Sequence, residues 1–248
     1  MNALIPNWKV PSCVKAVAST RLGGFSLPPY EGLNLGTHVG DETTTVMKNR
    51  EQFIQDCSMP ASPIWLNQTH STHVVDVSQP TLEILNADGV STRAPNVVCS
   101  AMTADCLPVL LTNSQGSQVA AVHAGWRGLS GGILENAVAQ FEEPSEVIAW
   151  LGPAIGSNAF EVGEDVLKAF ISVDDNAHKA FIPHTAPNKW LANMDMLATQ
   201  RLNRVGVKSV YSSNLCTYER EDQFYSYRRD GVTGRQAVFI WIEGASKS

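Results

Sequence analysis

The chain has 248 residues, a hydrophobic fraction of 44% and a formal net charge of −6. This hydrophobic fraction is typical of a globular protein with a sizeable core, and the acidic balance argues against nucleic-acid binding, which usually needs a basic excess. No stretch approaches the roughly 18 consecutive apolar residues of a membrane helix, and residues 1–11 lack the pattern of a signal peptide. We therefore expect a cytoplasmic protein with no nucleic-acid or membrane partner.

Periodicity along the chain predicts interleaved helices and strands. Residues 19–41 are rich in glycine and proline and show neither period, so they predict a long loop, and long loops in compact domains are often functional. The predicted helices are residues 43–57, 129–141, 161–171 and 193–205. The predicted strands are residues 64–67, 73–77, 96–102, 108–112, 118–123, 147–151, 207–212 and 237–242.

The order of these elements predicts the fold class. Strands and helices are interleaved without a strict βαβ alternation, which favours a mixed α/β protein over a doubly wound parallel sheet. We expect one domain over residues 1–243, followed by a disordered tail over residues 244–248.

The five cysteines predict thiols rather than a disulfide framework. Their number is odd and no secretion signal precedes them, so each is expected to be a packing residue, a metal ligand or a nucleophile. Cys216 is best explained by packing. Cys106 differs from the others because it lies in a polar turn, TADC, between two apolar runs.

Two histidines occupy positions comparable to that of Cys106. His70 comes just before a predicted strand, and His123 comes where an apolar strand ends. Two imidazoles and one thiolate suit zinc, with copper as the less favoured metal, and three protein ligands leave a fourth position open, as in catalytic sites. The competing explanation is structural: a hydrogen-bonded histidine and a cysteine of the core. His73 adds little, because residues three apart on a strand point to opposite faces.

Two segments are candidate anion sites. In HAGWRG, Arg127 stands among glycines before a helix, an arrangement that suits an anion, although a tight turn with a solvated arginine explains it equally well. In FYSYRRDGVTGR, Arg228, Arg229 and Arg235 stand among aromatic residues, which suits phosphate binding and ring stacking. The alternative for that segment is a hairpin turn at residues 230–231 with a charged edge.

Taken together, these segments resemble the laccase-domain, or YfiH-like, family, which was once described as multicopper polyphenol oxidoreductases. The resemblance extends over residues 19–240. The matching stretches are STRLGGFSLPPYEGLNLGTHVGD, WLNQTHSTHVV, NVVCSAMTADCLPVLLT, VAAVHAGWRGLSGGILENAV, AWLGPAIGSNAFEVGEDV and CTYEREDQFYSYRRDGVTGR.

The resemblance implies a fold, a metal and a reaction. The zinc ligands would be His70 of QTH, Cys106 of TADC and His123 of VHAGWRG, in a single α/β domain with sheets between helical layers. The activity would be a purine nucleoside phosphorylase acting on adenosine, inosine, guanosine and methylthioadenosine. Adenosine deaminase activity would accompany it.

The residues are compatible with that chemistry. Phosphorolysis needs an anion site and a pocket for a flat base, and deamination needs an activated water, which an open zinc position provides. The candidates for substrate or phosphate binding are Arg21, Asn34, Arg127, Arg228 and Arg229, and His38 is a further polar candidate in the early loop. The candidate for proton transfer is Asp105, with Asp88 and Glu161 as weaker ones.

Three other functions compete with this reading. A multicopper oxidase needs several histidine-rich centres, whereas this chain has six histidines and no HxH or HCH motif, and His178 and His184 look structural. A metal-free hydrolase or amidase would use Cys106 as nucleophile and His123 as its base. The same residues could also line the pocket of a non-catalytic binding protein.

Overall fold

The computed structural model describes residues 3–244. The strands are β1 (Ala3–Leu4), β2 (Val14–Ser19), β3 (Leu66–Asn67), β4 (Val74–Asp76), β5 (Leu85–Asn86), β6 (Gly89–Thr92), β7 (Cys99–Thr103), β8 (Leu107–Asn113), β9 (Val119–Ala124), β10 (Val147–Leu151), β11 (Glu161–Gly163), β12 (Phe181–Pro183), β13 (Lys189–Ala192), β14 (Ser209–Ser212) and β15 (Gln236–Ile242). The helices are α1 (Thr43–Asp56), α2 (Trp126–Gly131), α3 (Ile133–Val138), α4 (Glu164–Ile171), α5 (Met194–Arg204) and α6 (Tyr227–Asp230).

Two sheets form the centre of the molecule. One has four antiparallel strands in the order β1-β2-β15-β7. The other has six strands in the order β14-β10-β8-β9-β6-β4 and is antiparallel except at its two outer pairs. Two smaller sheets, β11-β13-β12 and β3-β5, lie outside this pair. No helix in residues 3–244 is long and apolar enough to cross a membrane.

Alternation along the central strands divides the core into layers. On β15, Val238 and Ile240 share a buried cluster with Leu110 of β8, so the two sheets pack face to face. Phe239 points the other way and contacts Phe53 of α1, with ring centroids 5.4 Å apart. The opposite face of the six-stranded sheet packs against α2 to α5. The predicted mixed α/β domain, with sheets between helical layers, is confirmed.

The differences from the predicted elements have local causes. The helix predicted over residues 129–141 starts earlier and is divided into α2 and α3 at Gly132, whose φ of 102° is incompatible with a continuous right-handed helix. Residues 161–171 begin as β11 before α4 starts. Residues 227–230 form a short helix rather than a hairpin turn. The predicted tail falls almost entirely outside the described residues.

Several strands carry no sequence signal that predicts them. β6 (GVST) is buried along its whole length and consists of a glycine, a valine and two hydroxyl residues, so neither alternation nor an apolar run is visible. The short strands of the three-stranded sheet have the same problem, because they are only three or four residues long.

A substitution that creates a cavity between the two central sheets tests the layered core. Leu110 is fully buried, so Leu110→Ala should lower the free energy of unfolding by about 2–5 kcal/mol through lost burial and the cavity left behind. Urea denaturation measures this change. The matched control is Leu82→Ala, because Leu82 is 88% exposed and its truncation should change stability by no more than about 0.5 kcal/mol. Equal effects of the two substitutions would contradict the proposed packing.

Candidate metal centre

One end of the six-stranded sheet brings His70, Cys106 and His123 together. β8 and β9 are antiparallel, and Pro108 pairs with His123, so Cys106, two residues earlier, lies beside the end of β9. Asp88 precedes β6, and its carbonyl accepts the His123 N–H at 2.7 Å. The turn that carries His70 leads into β4 at the same end of the sheet. Residues far apart in sequence therefore meet because their strands begin or end here.

The side chain of Asp88 fixes the turn that holds His70. This carboxylate is fully buried and accepts the backbone N–H groups of Thr69 at 3.2 Å, His70 at 3.0 Å and Ser71 at 2.7 Å, together with the Ser71 hydroxyl at 2.7 Å. His70 has a φ of 62°, a left-handed conformation that costs energy for a residue with a side chain. The hydrogen bonds to Asp88 stabilise that conformation.

The same carboxylate orients the second histidine. His123 Nδ1 lies 2.8 Å from Asp88 Oδ1. Because a carboxylate accepts hydrogen bonds, Nδ1 carries a proton, and in the neutral form of the ring Nε2 is the nitrogen with a free lone pair. A carboxylate behind a metal-binding histidine is a common arrangement, since it fixes the ring and raises its basicity.

The donor atoms of the three residues are close enough to share one ion. They all lie within 4.8 Å of one another, and His70 Nε2 is 3.8 Å from Cys106 Sγ. The two imidazole rings are nearly perpendicular, with centroids 4.8 Å apart. A tetrahedral zinc with its usual bond lengths needs donors about 3.3–3.7 Å apart, so small side-chain movements are enough to complete the site.

Electrostatics around the metal-free centre favours a charged pair of Cys106 and His123. Burial alone would lower the pKa of His123, but the charges and hydrogen bonds of Cys106 and Asp88 raise it to about 9, so metal binding would displace a proton from this ring. Burial alone would raise the pKa of the Cys106 thiol, but the charge and hydrogen bond of His123 lower it below its ordinary value. Burial alone would also raise the pKa of Asp88, but hydrogen bonds from His123 and Ser71 hold it well below its usual range. Cys106 is thus favoured as a thiolate, which is the form that binds metal.

The glycines of HAGWRG serve close packing at the centre. A Cβ on Gly125 would lie 2.5 Å from His70 Cδ2, closer than real side-chain atoms approach, and 3.2 Å from Cys106 Sγ, which is a tight contact. A Cβ on Gly128 would lie 2.9 Å from the Ser71 carbonyl oxygen. These two glycines therefore let the start of α2 approach the His70 turn, which explains the segment without an anion at the helix terminus.

The arginines and the amide predicted to bind substrate lie in different environments. Arg127 is exposed, with its guanidinium 4.3 Å from the ring centroid of Trp126. Arg21 donates to the Glu221 carbonyl at 3.3 Å and lines an open cleft of about 940 Å³. Asn34 is buried, and its amide holds Gly36 and Arg235 in place.

The two adjacent arginines of SYRRDG differ in how far the protein itself occupies them. Arg228 Nη1 donates to the Glu161 carbonyl at 2.9 Å. Arg229 forms a two-point ion pair with Asp230, with both contacts at 2.8 Å, and also donates to three backbone carbonyls. A guanidinium bonded in this way has few donors left for a ligand.

The residues predicted to transfer protons also differ in their contacts. Asp105 directly precedes Cys106, and its carboxylate accepts the Thr217 hydroxyl and the Arg228 backbone N–H, both at 2.7 Å. It therefore ties two distant loops to the centre. Glu161 is at the surface, 3.5 Å from Lys189.

One further cysteine and two further histidines have local structural contacts. Cys216 Sγ accepts the Gly156 N–H at 3.1 Å. His178 hydrogen-bonds the Asp175 carbonyl, and His184 accepts the Ala186 N–H at 3.1 Å. These contacts explain the three residues without a ligand.

Sequence reasoning underestimated Asp88, which it ranked as a weak proton donor or acceptor. Its sequence context, NADGV, contains only the signal of a turn before a short strand. Gln68 was missed altogether: its side chain donates to the Met102 carbonyl at 2.7 Å and accepts the Met102 N–H at 2.8 Å, which fixes the segment leading to His70 on the edge of β7. Both roles depend on contacts between residues that are more than fifteen positions apart in the sequence.

The fold and the site define a mixed α/β protein with a three-donor His–Cys–His centre at one end of its larger central sheet. Residues 15–243 match the family described as "Multi-copper polyphenol oxidoreductase laccase", and the chain belongs to this family.

Proteins similar to this chain have been named for an activity. A "Purine nucleoside phosphorylase" of Haemophilus influenzae is 49% identical over 245 residues, covering 98% of this chain and all of that protein. "Purine nucleoside phosphorylase YfiH" of Escherichia coli is 48% identical over 240 residues, covering 96% of this chain and 98% of that one. A crystal structure of a Neisseria meningitidis protein superposes with a TM-score of 0.94 at 46% identity and covers 98% of this chain and all of its own.

Replacing the Asp88 carboxylate with an amide tests its organising role. Asp88→Asn should weaken zinc binding by about 10- to 100-fold, because the amide has no charge and its NH2 group replaces one of the two oxygens that accept hydrogen bonds from the His70 turn and the His123 ring. Competition with a chelator measures zinc affinity, and circular dichroism checks the fold. The control is Asp76→Asn, since Asp76 is exposed at the far end of β4 and hydrogen-bonds Ser91. Unchanged zinc affinity in Asp88→Asn would show that the carboxylate does not organise the centre.

Proposed function

We propose that the protein is a zinc-dependent purine nucleoside phosphorylase. It would convert adenosine, inosine, guanosine or methylthioadenosine, together with phosphate, into the free base and a ribose 1-phosphate product. It would also deaminate adenosine. The observation that carries the proposal is the convergence of His70, Cys106 and His123 on one point, with Asp88 behind them, in a chain whose similar proteins are named for this activity.

The donor set fits zinc. One thiolate and two imidazoles are preferred zinc ligands, and three protein ligands leave a position for water or substrate. The Asp88 carboxylate supplies the supporting hydrogen bond that zinc-binding histidines usually have. His70 is exposed and Cys106 is partly exposed, so the centre is open to solvent on one side. The residues that would hold zinc are therefore His70, Cys106 and His123, with copper as the less favoured metal.

When bound, zinc would provide positive charge next to the substrate and an activated water for deamination. The protein's own residues have complementary roles. Asp88 holds His123 in one tautomer and orientation. Asp105 fixes the loops of Thr217 and Arg228 against the centre, which favours a positioning role for this carboxylate over proton transfer.

Phosphate and the nucleoside need groups around the centre. Arg21, Asn34, Arg127, Arg228 and Arg229 remain the candidates that the sequence proposes for these ligands. Of the arginines, Arg127 and Arg228 are exposed to an incoming ligand, whereas Arg229 is bound to Asp230 and to backbone carbonyls. Arginine suits phosphate because its planar fork donates two parallel hydrogen bonds.

A second candidate function is a metal-free cysteine hydrolase or amidase. It is favoured by one observation: His123 lies between a thiol of lowered pKa and a buried carboxylate, which is the order of a nucleophile, its base and the group that orients the base. In that reaction His70 would have no role. Metal dependence separates the two functions, because chelation abolishes a zinc enzyme and leaves a cysteine hydrolase active.

The products of the reaction test the proposal directly. Inosine with phosphate should give hypoxanthine and ribose 1-phosphate, and adenosine should also give some inosine. His123→Ala should lower turnover by roughly 100- to 1,000-fold, the usual effect of losing electrostatic stabilisation at a reacting centre. Chromatography of the products, with and without phosphate and with and without chelator, measures these outcomes. A matched control is His178→Ala, since His178 is exposed and hydrogen-bonds only its own turn.

Other product patterns would contradict the proposal. Free ribose formed without phosphate would indicate a hydrolase. Release of no base from any purine nucleoside would reject the phosphorylase assignment. Full activity after complete removal of metal would favour the cysteine nucleophile instead.

A further inference from the structure

Arg235 differs in its contacts from the other arginines that the sequence proposes for phosphate or substrate binding. It is half-buried, and its Nη1 donates to the carbonyls of Thr233 at 3.0 Å and Gly234 at 2.9 Å. Nε and Nη2 have no hydrogen-bond partner within residues 3–244, and no carboxylate of that part of the chain forms an ion pair with this guanidinium. A half-buried arginine without an acidic partner leaves its charge to be balanced by something else.

The backbone holds Arg235 next to the metal centre. It immediately precedes β15, whose first residue, Gln236, pairs with Thr103 at the end of β7. In this antiparallel register Arg235 lies opposite residue 104, just before Asp105 and Cys106. The negative charges of Cys106 and Asp105 act on the guanidinium, although burial has the larger effect and lowers the pKa of Arg235.

The early loop fixes the arginine in this position. Asn34 Oδ1 accepts the Arg235 N–H at 2.8 Å, and the Leu35 N–H donates to the Arg235 carbonyl at 3.0 Å. A Cβ on Gly36 would lie 2.8 Å from Arg235 Cγ, so the chain passes directly over the side chain. The hydrogen bond from the Arg235 N–H accounts for the burial of Asn34. Asn34 therefore contributes to the site by holding Arg235 in position.

A second unpaired arginine adds to the positive charge of this region. Arg50 is buried, stacks on Trp65 at 3.6 Å and donates to the Leu35 carbonyl, and it too has no ion pair within residues 3–244. Arg50 and His38 line a cavity of about 300 Å³. The pKa of His38 is lowered by desolvation and then by the positive charges of Arg235, Arg50 and His123. The chain as a whole carries a net charge of −6, so this excess is local.

We propose that Arg235 binds the tetrahedral oxyanion of the reaction, inorganic phosphate or the phosphate group of the ribose 1-phosphate product, beside the metal centre. This inference rests on the proposed function and selects Arg235 from the three arginines of FYSYRRDGVTGR as the anion-binding residue. The free Nε–H and Nη2–H groups provide the two parallel donors that match two oxygens of phosphate. The oxyanion compensates the charge that the protein leaves unpaired.

The test compares Arg235→Gln with Arg235→Lys. In zinc-loaded protein, Arg235→Gln should raise the KM for phosphate by roughly 10- to 100-fold, the effect expected for loss of a charge-assisted hydrogen bond, and leave the KM for inosine unchanged. Arg235→Lys keeps the positive charge but loses the planar pair of parallel donors. Its KM for phosphate should therefore lie between the values of the wild type and Arg235→Gln. The matched control is Arg93→Gln, which removes the same charge at the opposite end of β6 from Asp88 and should change neither KM.

Calorimetry with inorganic phosphate and with ribose 1-phosphate gives a readout that does not depend on turnover. Loss of phosphate binding in Arg235→Gln, with zinc retained, supports the inference even if no nucleoside is cleaved. Phosphate-dependent cleavage with an unchanged KM for phosphate overturns it and leaves the proposed function standing. Two other results also overturn it: a wild-type protein that binds neither ligand, and an Arg235→Gln variant that loses zinc while its metal-loaded fraction binds phosphate normally. If Arg235→Gln does not fold, Arg235→Lys decides by the same criteria.

Discussion

The hydrogen bonds of one buried carboxylate, Asp88, hold the whole centre together. It accepts three consecutive backbone N–H groups and a hydroxyl from the turn of His70, and it accepts the Nδ1 proton of His123. A buried carboxylate is expensive to keep charged unless its oxygens are fully hydrogen-bonded, and here they are. The same five contacts therefore offset the free-energy cost of burying the charge and stabilise the left-handed backbone conformation of His70. They also select the tautomer of His123 that leaves Nε2 free. Without this carboxylate the three donors would have no common geometry.

The six-stranded sheet positions the third donor, Cys106, relative to the two histidines. Antiparallel pairing of β8 with β9 fixes Cys106 beside His123, and Gly125 removes the side chain that would otherwise occupy the space of His70. The outcome is a small centre with three donors, not the several histidine-rich centres that a multicopper oxidase requires. The description of the family refers to copper and to laccase, while the similar proteins from Haemophilus influenzae and Escherichia coli are named for phosphorolysis. The number of donors in residues 3–244 argues against a multicopper centre.

Sequence patterns predicted those parts of the structure that depend on local order. The strand over residues 147–151 was predicted with its observed bounds, and β15 and α5 were placed to within one residue, because their apolar periodicity is strong. The three donors were predicted as a set, since each stands where an apolar run begins or ends. Asp88 was ranked too low for the opposite reason: its contacts join it to segments 17 to 35 residues away, which no local pattern records. The glycines of HAGWRG predict an anion site, and the structure shows that two of them also provide room for the neighbouring His70 turn.

The central claim is that one metal ion is bound by one thiolate and two imidazoles. X-ray absorption at the zinc edge, on protein purified without added metal, tests it most directly. The account predicts one sulfur at about 2.3 Å and two imidazole nitrogens at about 2.0–2.1 Å, with one further light atom in the open position. A zinc shell without sulfur, a shell with two or more sulfurs, or protein that purifies without metal and does not take it up would contradict the account.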